Sequence, residues 1–230
     1  MPYSGGLPRN IAQCLDDFGI PLYLSTTVVQ IHGSERLEGV TIAKVDEQRR
    51  PIEETKRYIP CDTLLLSVGL IPENELTRAA GIPIDPITNG ALVDEHCQTQ
   101  ISGIFACGNV LQVHDLVDYV SEEAERAGIG AAQYIGGLAE SCTTIRTLPG
   151  NGVRYVLPQV IHSKEQDVSL FLRVTEPHQN VRFTVSDGVN TLASVTRPKA
   201  APGEMEKILL RADKLQSAGE SITVSLEVLE

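Results

Sequence analysis

Two short apolar segments that each stop at a glycine constrain this chain more than any other feature. Leu64-Leu65-Leu66-Ser67-Val68-Gly69 and Ile104-Phe105-Ala106-Cys107-Gly108 both read as strands apolar on two faces, the pattern of a strand inside a covered sheet. In an open α/β sheet, ligands bind beyond the carboxyl ends of the strands. Glycine at that end lets a cofactor come close to the backbone. A helix starting just after such a strand aims its free N–H groups and positive end at the ligand. Residues 116–135 read as that helix, with Val117, Val120, Ala124, Ala127 and Ala131 expected inward and Gly136-Gly137 as its stop. By itself a strand-glycine-helix unit is more often structural than a binding site.

The elements before the first glycine are shorter. Residues 8–18 place Ile11, Cys14, Leu15 and Phe18 at helical spacing, with Pro8 in the first turn and Gly19 where the helix would stop. Residues 20–31 are β-branched and apolar, and read as strand, break, strand. Residues 37–46 and 53–60 look like hairpin partners around the charged turn 47–51. Residues 73–80 form a short expected helix capped by Gly81, and Asn89-Gly90 marks a turn.

Near residue 141 the character changes. Period-2 alternation runs through 153–161, 167–174, 181–186, 191–197, 204–211 and 221–229, which predicts a small all-β, sandwich-like terminal domain. In 167–174, Leu170, Leu172 and Val174 share one face and Ser169, Phe171 and Arg173 the other. Phe171 on the second face implies that both faces are partly covered.

Composition narrows the function. With 42% hydrophobic and 21% charged residues in 230, the chain is an ordinary globular sequence. A formal net charge of −11 repels nucleic acid and anionic lipid, so neither is an expected partner. No apolar run is long enough to span a bilayer, and the start, from Met1 to Gly6, lacks the regions of a signal peptide, so a cytoplasmic location is expected. The five cysteines, Cys14, Cys61, Cys97, Cys107 and Cys142, form no Cys-x-x-Cys pair and no zinc-ligand spacing, and no metal site is expected. Cys14 and Cys61 read as small buried apolar residues. Cys107 reads as a packed thiol, because no second thiol is adjacent to it in sequence. His114 and Asp115 read as a solvated histidine and a helix cap, with contact to a cofactor or substrate as the functional alternative.

The stretch CDTLLLSVGLIPENEL, 61–76, resembles the segment that closes the nicotinamide-binding domain in the pyridine nucleotide-disulfide oxidoreductase superfamily. The stretch GALVDEHCQTQISGIFACGNV, 90–110, resembles that family's second flavin motif, matching it at Thr99, Gly103, Ile104, Phe105, Ala106 and Gly108. The resemblance covers residues 1–138, and HDLVDYVSEEAERAG is similar to flavoprotein dehydrogenases of bacterial glycerol metabolism and of amine or opine oxidation. It implies a partial two-dinucleotide-domain α/β flavoprotein: residues 1–72 as the second half of the nicotinamide domain, 73–140 as the second half of the FAD domain, and 141–230 as the added β domain. It implies FAD and NAD(P) as cofactors. Gly69 would lie close to nicotinamide nucleotide. Gly108, Asn109 and Val110 would lie near the flavin ribityl and pyrophosphate, and Val117, Asp118 and Tyr119 would open the flavin-facing helix. Most of the family has Asp where Asn109 stands; an Asn carbonyl also accepts a hydrogen bond.

The family needs two Gly-x-Gly-x-x-Gly turns, and neither is present: Gly5-Gly6 follows no strand, and Gly128-x-Gly130 lies within or near the end of a helix. The chain is therefore expected to be a portion of a larger enzyme, inactive by itself, with no catalytic residue assignable. The main expectation is an FAD-dependent oxidoreductase passing hydride between NAD(P)H, flavin and an unidentified acceptor. The alternatives are a non-catalytic assembly subunit on a flavoprotein scaffold, or a reductase of a small electron-carrier protein. Residues 143–230 are the expected surface for a subunit or carrier-protein partner.

Overall fold

The computed structural model describes residues 2–4, 8–137 and 143–229, in two compact units, Met1–Gly69 and Leu70–Glu230. Gly5-Gly6, Cys142 and the expected boundary at 140–141 lie outside the described residues.

In Met1–Gly69, helix α1 (Pro8–Cys14) continues as a 3-10 turn, Asp16–Phe18, and stops at Gly19. Ile11 and Leu15 are half-buried, but Cys14 and Phe18 are exposed and Cys61 is half-buried, so neither cysteine is the buried apolar residue expected. An antiparallel sheet of order β1-β2-β3 follows: β1 (Thr26–His32), β2 (Gly39–Lys44) and β3 (Arg57–Pro60). The expected hairpin forms, with Val40 opposite Ile59 and Thr41 opposite Tyr58. Its charged turn closes where the Arg50 backbone N–H donates to Asp46 Oδ1 at 2.8 Å. Only the second half of 20–31 is a strand, because Ser25 turns the chain at φ +47° and pairing with β2 begins at Thr26.

The strand expected at 64–69 is absent. Leu65 and Val68 are each 89% exposed, and no strand is assigned between 61 and 69. A segment apolar on both faces becomes a strand only between two neighbours, and among the described residues none pairs with this one.

In Leu70–Glu230, helix α2 (Glu75–Ala79) ends at Gly81, and helix α3 (Val117–Ile135) ends at Gly136. The strand expected at 104–108 shrinks to one bridge, Phe105 with Gln98. The opposing segment is a tight loop in which Cys97 takes φ +63°, so no ladder can propagate. Helix α3 turns only part of the expected stripe inward, with Ala127 buried and Val120 and Ala131 half-buried. Glu123, Ala127 and Gly130 are buried, whereas Val117 and Ala124 are exposed. Gly130 sets this face: a Cβ there would fall 2.7 Å from the His96 carbonyl oxygen, so the helix lies directly on the 94–98 loop.

From 145 onward the alternating residues form two sheets. One has the order β10-β7-β5 and the other β6-β4-β11-β8-β9. These strands are β4 (Ile145–Pro149), β5 (Val153–Leu157), β6 (Val160–Ile161), β7 (Val168–Val174), β8 (His178–Ser186), β9 (Thr191–Ala200), β10 (Glu206–Leu210) and β11 (Ser221–Val228), with helix α4 (Ala212–Leu215) before the last. Leu170, Leu172 and Val174 of β7 meet Phe183, Ile222 and Val224 in one core between the sheets. Phe171, on the opposite face of β7, is equally buried. It joins Tyr155, Leu157 and Met205 in a second core with Ile82, Ala91, Val93 and Leu111. Both faces of β7 are covered, as Phe171 implied, and the second cover is the segment that carries Gly108 and α3.

Candidate functional site: the Gly108 turn and the start of α3

Gly108–Val110 is a single 3-10 turn entered from an extended Cys107. Gly108 has φ +73°, a conformation that costs a residue with a Cβ. Buried Leu111 pins the turn in the second core, and its N–H donates to the Gly108 carbonyl at 2.9 Å. Buried Asn74 holds the turn from the other side: Asn74 Nδ2 donates to the carbonyls of Val110 at 2.8 Å and Asn89 at 2.7 Å.

Asn109 is exposed, and its Oδ1 accepts from the His114 backbone N–H at 3.1 Å. That donor fixes the amide orientation, and among the described residues Nδ2 has no hydrogen-bond partner. Leu116 precedes α3 in an extended conformation, and no side chain caps the helix. The first-turn N–H groups of Val117, Asp118 and Tyr119 therefore remain available. Val117 and Asp118 are exposed; the Tyr119 ring packs edge-on against Phe171 with centroids 5.8 Å apart. Gly108, Asn109, Val110, Val117, Asp118 and Tyr119 thus flank one loop. Gly69 belongs to Met1–Gly69; it is exposed at φ +98°, with open space where a Cβ would stand.

The loop is fastened by polar and charged groups, of which the sequence marked only His114 and Asp115, and those for other roles. Glu123 on α3 is buried, its side chain 1% exposed, and it accepts from Gly108 N at 2.6 Å, Gln112 Nε2 at 2.9 Å and His114 Nε2 at 3.1 Å. The His114 side chain is also 1% exposed, so it is not the solvated histidine expected. Asp115 is not a helix cap. Its carboxylate accepts from Arg173 at 3.2 Å and from the Met205 N–H at 3.4 Å. Arg173 also donates to the carbonyls of Val113 and Pro202, each at 3.0 Å. A charged residue on a helix normally reads as solvated face, and the one clue to Glu123 is its helical spacing from Ala127 and Gly130.

The thiols beside the turn are poor nucleophiles. Burial pushes Cys97 up to about 12. Cys107 is raised by burial first and by Glu123 second. Cys107 nonetheless has a thiol near it in space, since its charge in turn raises Cys97; the sequence separation hid this. Tyr119 is raised by burial and then by Asp115, Glu206 and Glu122. Among the described residues, no group of three or more His, Cys, Asp or Glu is placed to hold a metal ion, and no helix is long and apolar enough to cross a membrane.

Residues 7–133 match the family described as pyridine nucleotide-disulphide oxidoreductase. The ferredoxin reductase component of chlorobenzene dioxygenase from Cupriavidus sp. (strain PS12) is 28% identical over 125 residues, 51% of this chain and 27% of that protein. The nitric oxide reductase FlRd-NAD(+) reductase of Shigella flexneri is 25% identical over 173 residues, 75% of this chain and 39% of its own. The mitochondrial dihydrolipoyl dehydrogenase of Caenorhabditis elegans is 31% identical over 138 residues, 60% of this chain and 26% of its own. This chain therefore spans roughly a quarter to two fifths of the length of these relatives.

Proposed function

The chain belongs to the pyridine nucleotide-disulphide oxidoreductase family, and from that premise we propose that it supplies part of an FAD-dependent oxidoreductase passing hydride between NAD(P)H, flavin and an acceptor. In this reading residues 1–72 are the nicotinamide side, 73–140 the flavin side, and 141–230 an added β-sandwich-like domain, in a cytoplasmic enzyme. One observation carries it. The φ +73° turn at Gly108 is followed by an exposed Asn109, whose Oδ1 is engaged by the His114 N–H and whose Nδ2 faces outward, and by the uncapped start of a 19-residue helix. Backbone N–H groups and a helix N-terminus suit the pyrophosphate and the electron-rich edge of a flavin.

When bound, flavin supplies the acceptance and return of hydride. This chain's residues would orient it. Gly108 permits close backbone approach. Asn109 Nδ2 donates a hydrogen bond, and the first N–H groups of α3 stabilise negative charge. Asp118, in the first turn, favours the helix but opposes an anion there, so the backbone does the recognition. Gly69 would face the nicotinamide nucleotide, where a side chain would need the costly positive φ. The relative named as a ferredoxin reductase component makes a small electron-carrier protein the first acceptor class to test. Outward surfaces of 143–230 are the proposed site for that partner or for a second subunit.

The chain by itself is expected to bind FAD reversibly and lose it on gel filtration. In ¹H–¹⁵N spectra, added FAD should shift the amides of Gly108–Val110 and Val117–Tyr119. No shift there at saturating FAD would defeat the flavin-side assignment. Stoichiometric retention of flavin absorbance through the column would defeat the expectation that this portion binds only weakly.

A further inference from the structure

We infer that Glu123 is the positioning residue of the flavin-side turn, acting through Gly108 and His114 to set what Asn109 presents to a ligand. The inference deepens the reading above and rests on it for the identity of the ligand. Glu123 is nearly inaccessible, and its three acceptor contacts reach the start, the middle and the end of the segment 108–114. One carboxylate on α3 therefore closes the whole loop onto the helix that follows it. Arg126 lies 3.9 Å from the same carboxylate, and the Cys97 thiol contacts the Glu123 backbone carbonyl, so the helix, the 94–98 loop and the turn converge on this residue.

The geometry has a chemical result. With its ring held by Glu123, His114 places its backbone N–H on Asn109 Oδ1. The acceptor of Asn109 is then engaged inside the loop, and its exposed free group is a donor, Nδ2. An Asp at this place would turn an acceptor outward instead. This chain therefore selects an oxygen acceptor, as on a phosphate or a sugar hydroxyl, where a carboxylate would select a hydroxyl donor.

The contact pattern also predicts which substitution is tolerated. Glu123→Ala leaves Gly108 N, Gln112 Nε2 and His114 Nε2 without their acceptor in a buried place. Glu123→Gln keeps the volume. Its oxygen can still accept from Gly108, and its amide can donate to Gln112 if that side chain flips, since Gln112 Oε1 has no partner in the native arrangement.

The test uses the 230-residue chain and two readouts: exchange of the Gly108 amide with deuterium, and the FAD dissociation constant from amide shifts. Ile208→Ala, in the core between the sheets, serves as a control for general destabilisation. Glu123→Ala should speed Gly108 exchange and weaken FAD about tenfold or more, while Glu123→Gln stays within about threefold. Unchanged exchange and affinity in Glu123→Ala, or equal changes in Ile208→Ala, would overturn the inference. Glu123→Gln as damaging as Glu123→Ala would also count against it. Should the wild-type chain show no FAD shifts, the flavin reading fails, and Gly108 exchange alone decides whether Glu123 positions the turn.

Discussion

Cys97 ties protonation to stability. Burial holds its thiol near 12 in the folded chain against an ordinary value of 9.0. An acid whose folded value is raised contributes fully below the unfolded value and loses that contribution as pH rises toward the folded one. Between pH 9 and 12 the unfolded chain releases this proton and the folded chain keeps it. Stability should therefore fall by about 1.4 kcal/mol per pH unit through this window. Urea denaturation of wild type and Cys97→Ala at pH 8, 9.5 and 10.5 checks it, and parallel pH profiles for the two proteins would refute it. The residue scale is also where sequence reading reached least far. Gly108 was legible, because a glycine ending an apolar run is unusual and the turn needs its positive φ. The buried roles of Glu123, His114 and Arg173 were not, because a polar side chain looks solvated until the tertiary fold buries it beside hydrogen-bond partners distant in sequence.

At the scale of elements, β7 and α3 meet through one side chain. Phe171 packs edge-on with Tyr119, and the Arg126 guanidinium lies 5.1 Å and the Lys207 ammonium 5.6 Å from its ring centre. Lys207 also bonds Glu122 on α3, so β10 reaches the same helix. Phe171→Ala should cost about 3–5 kcal/mol, the range for a fully buried phenylalanine. In a double-mutant cycle with Tyr119→Ala, a coupling of about 0.5–1.5 kcal/mol is expected from the edge-on ring pair. Additive losses in denaturant titrations would mean that the two elements are not coupled through these rings. Helix α3 and the strands after 153 were legible because their pattern is local and repeats several times. The segments 64–69 and 104–108 were misread as ladder strands for a converse reason. Their apolar character reports burial demand, but a strand also needs a partner of extended backbone. For 104–108 the partner is the tight 94–98 loop, and for 64–69 no described residue pairs.

On the scale of the whole molecule, the second core decides what can be separated from what. Ile82, Ala91, Val93 and Leu111 come from the segment bearing the Gly108 turn, and Tyr155, Leu157, Phe171 and Met205 from the terminal sheets. Alternation foretold the sheets but could not show that one of them spends its outer face on the segment bearing the Gly108 turn, since that depends on which surface meets it. Two truncations follow from the shared core. A chain of residues 70–230 keeps both cores and should unfold in one cooperative thermal transition. A chain of residues 1–137 loses half of the second core and exposes apolar residues that the native fold buries. It should bind a hydrophobic dye strongly and lack a cooperative transition. A monomeric 1–137 chain that melts cooperatively and still shifts its Gly108 amide with FAD would show that the terminal sheets are an appendage. Failure of 1–137 alongside success of 70–230 would instead make residues 143–230 a structural wall behind the Gly108 turn.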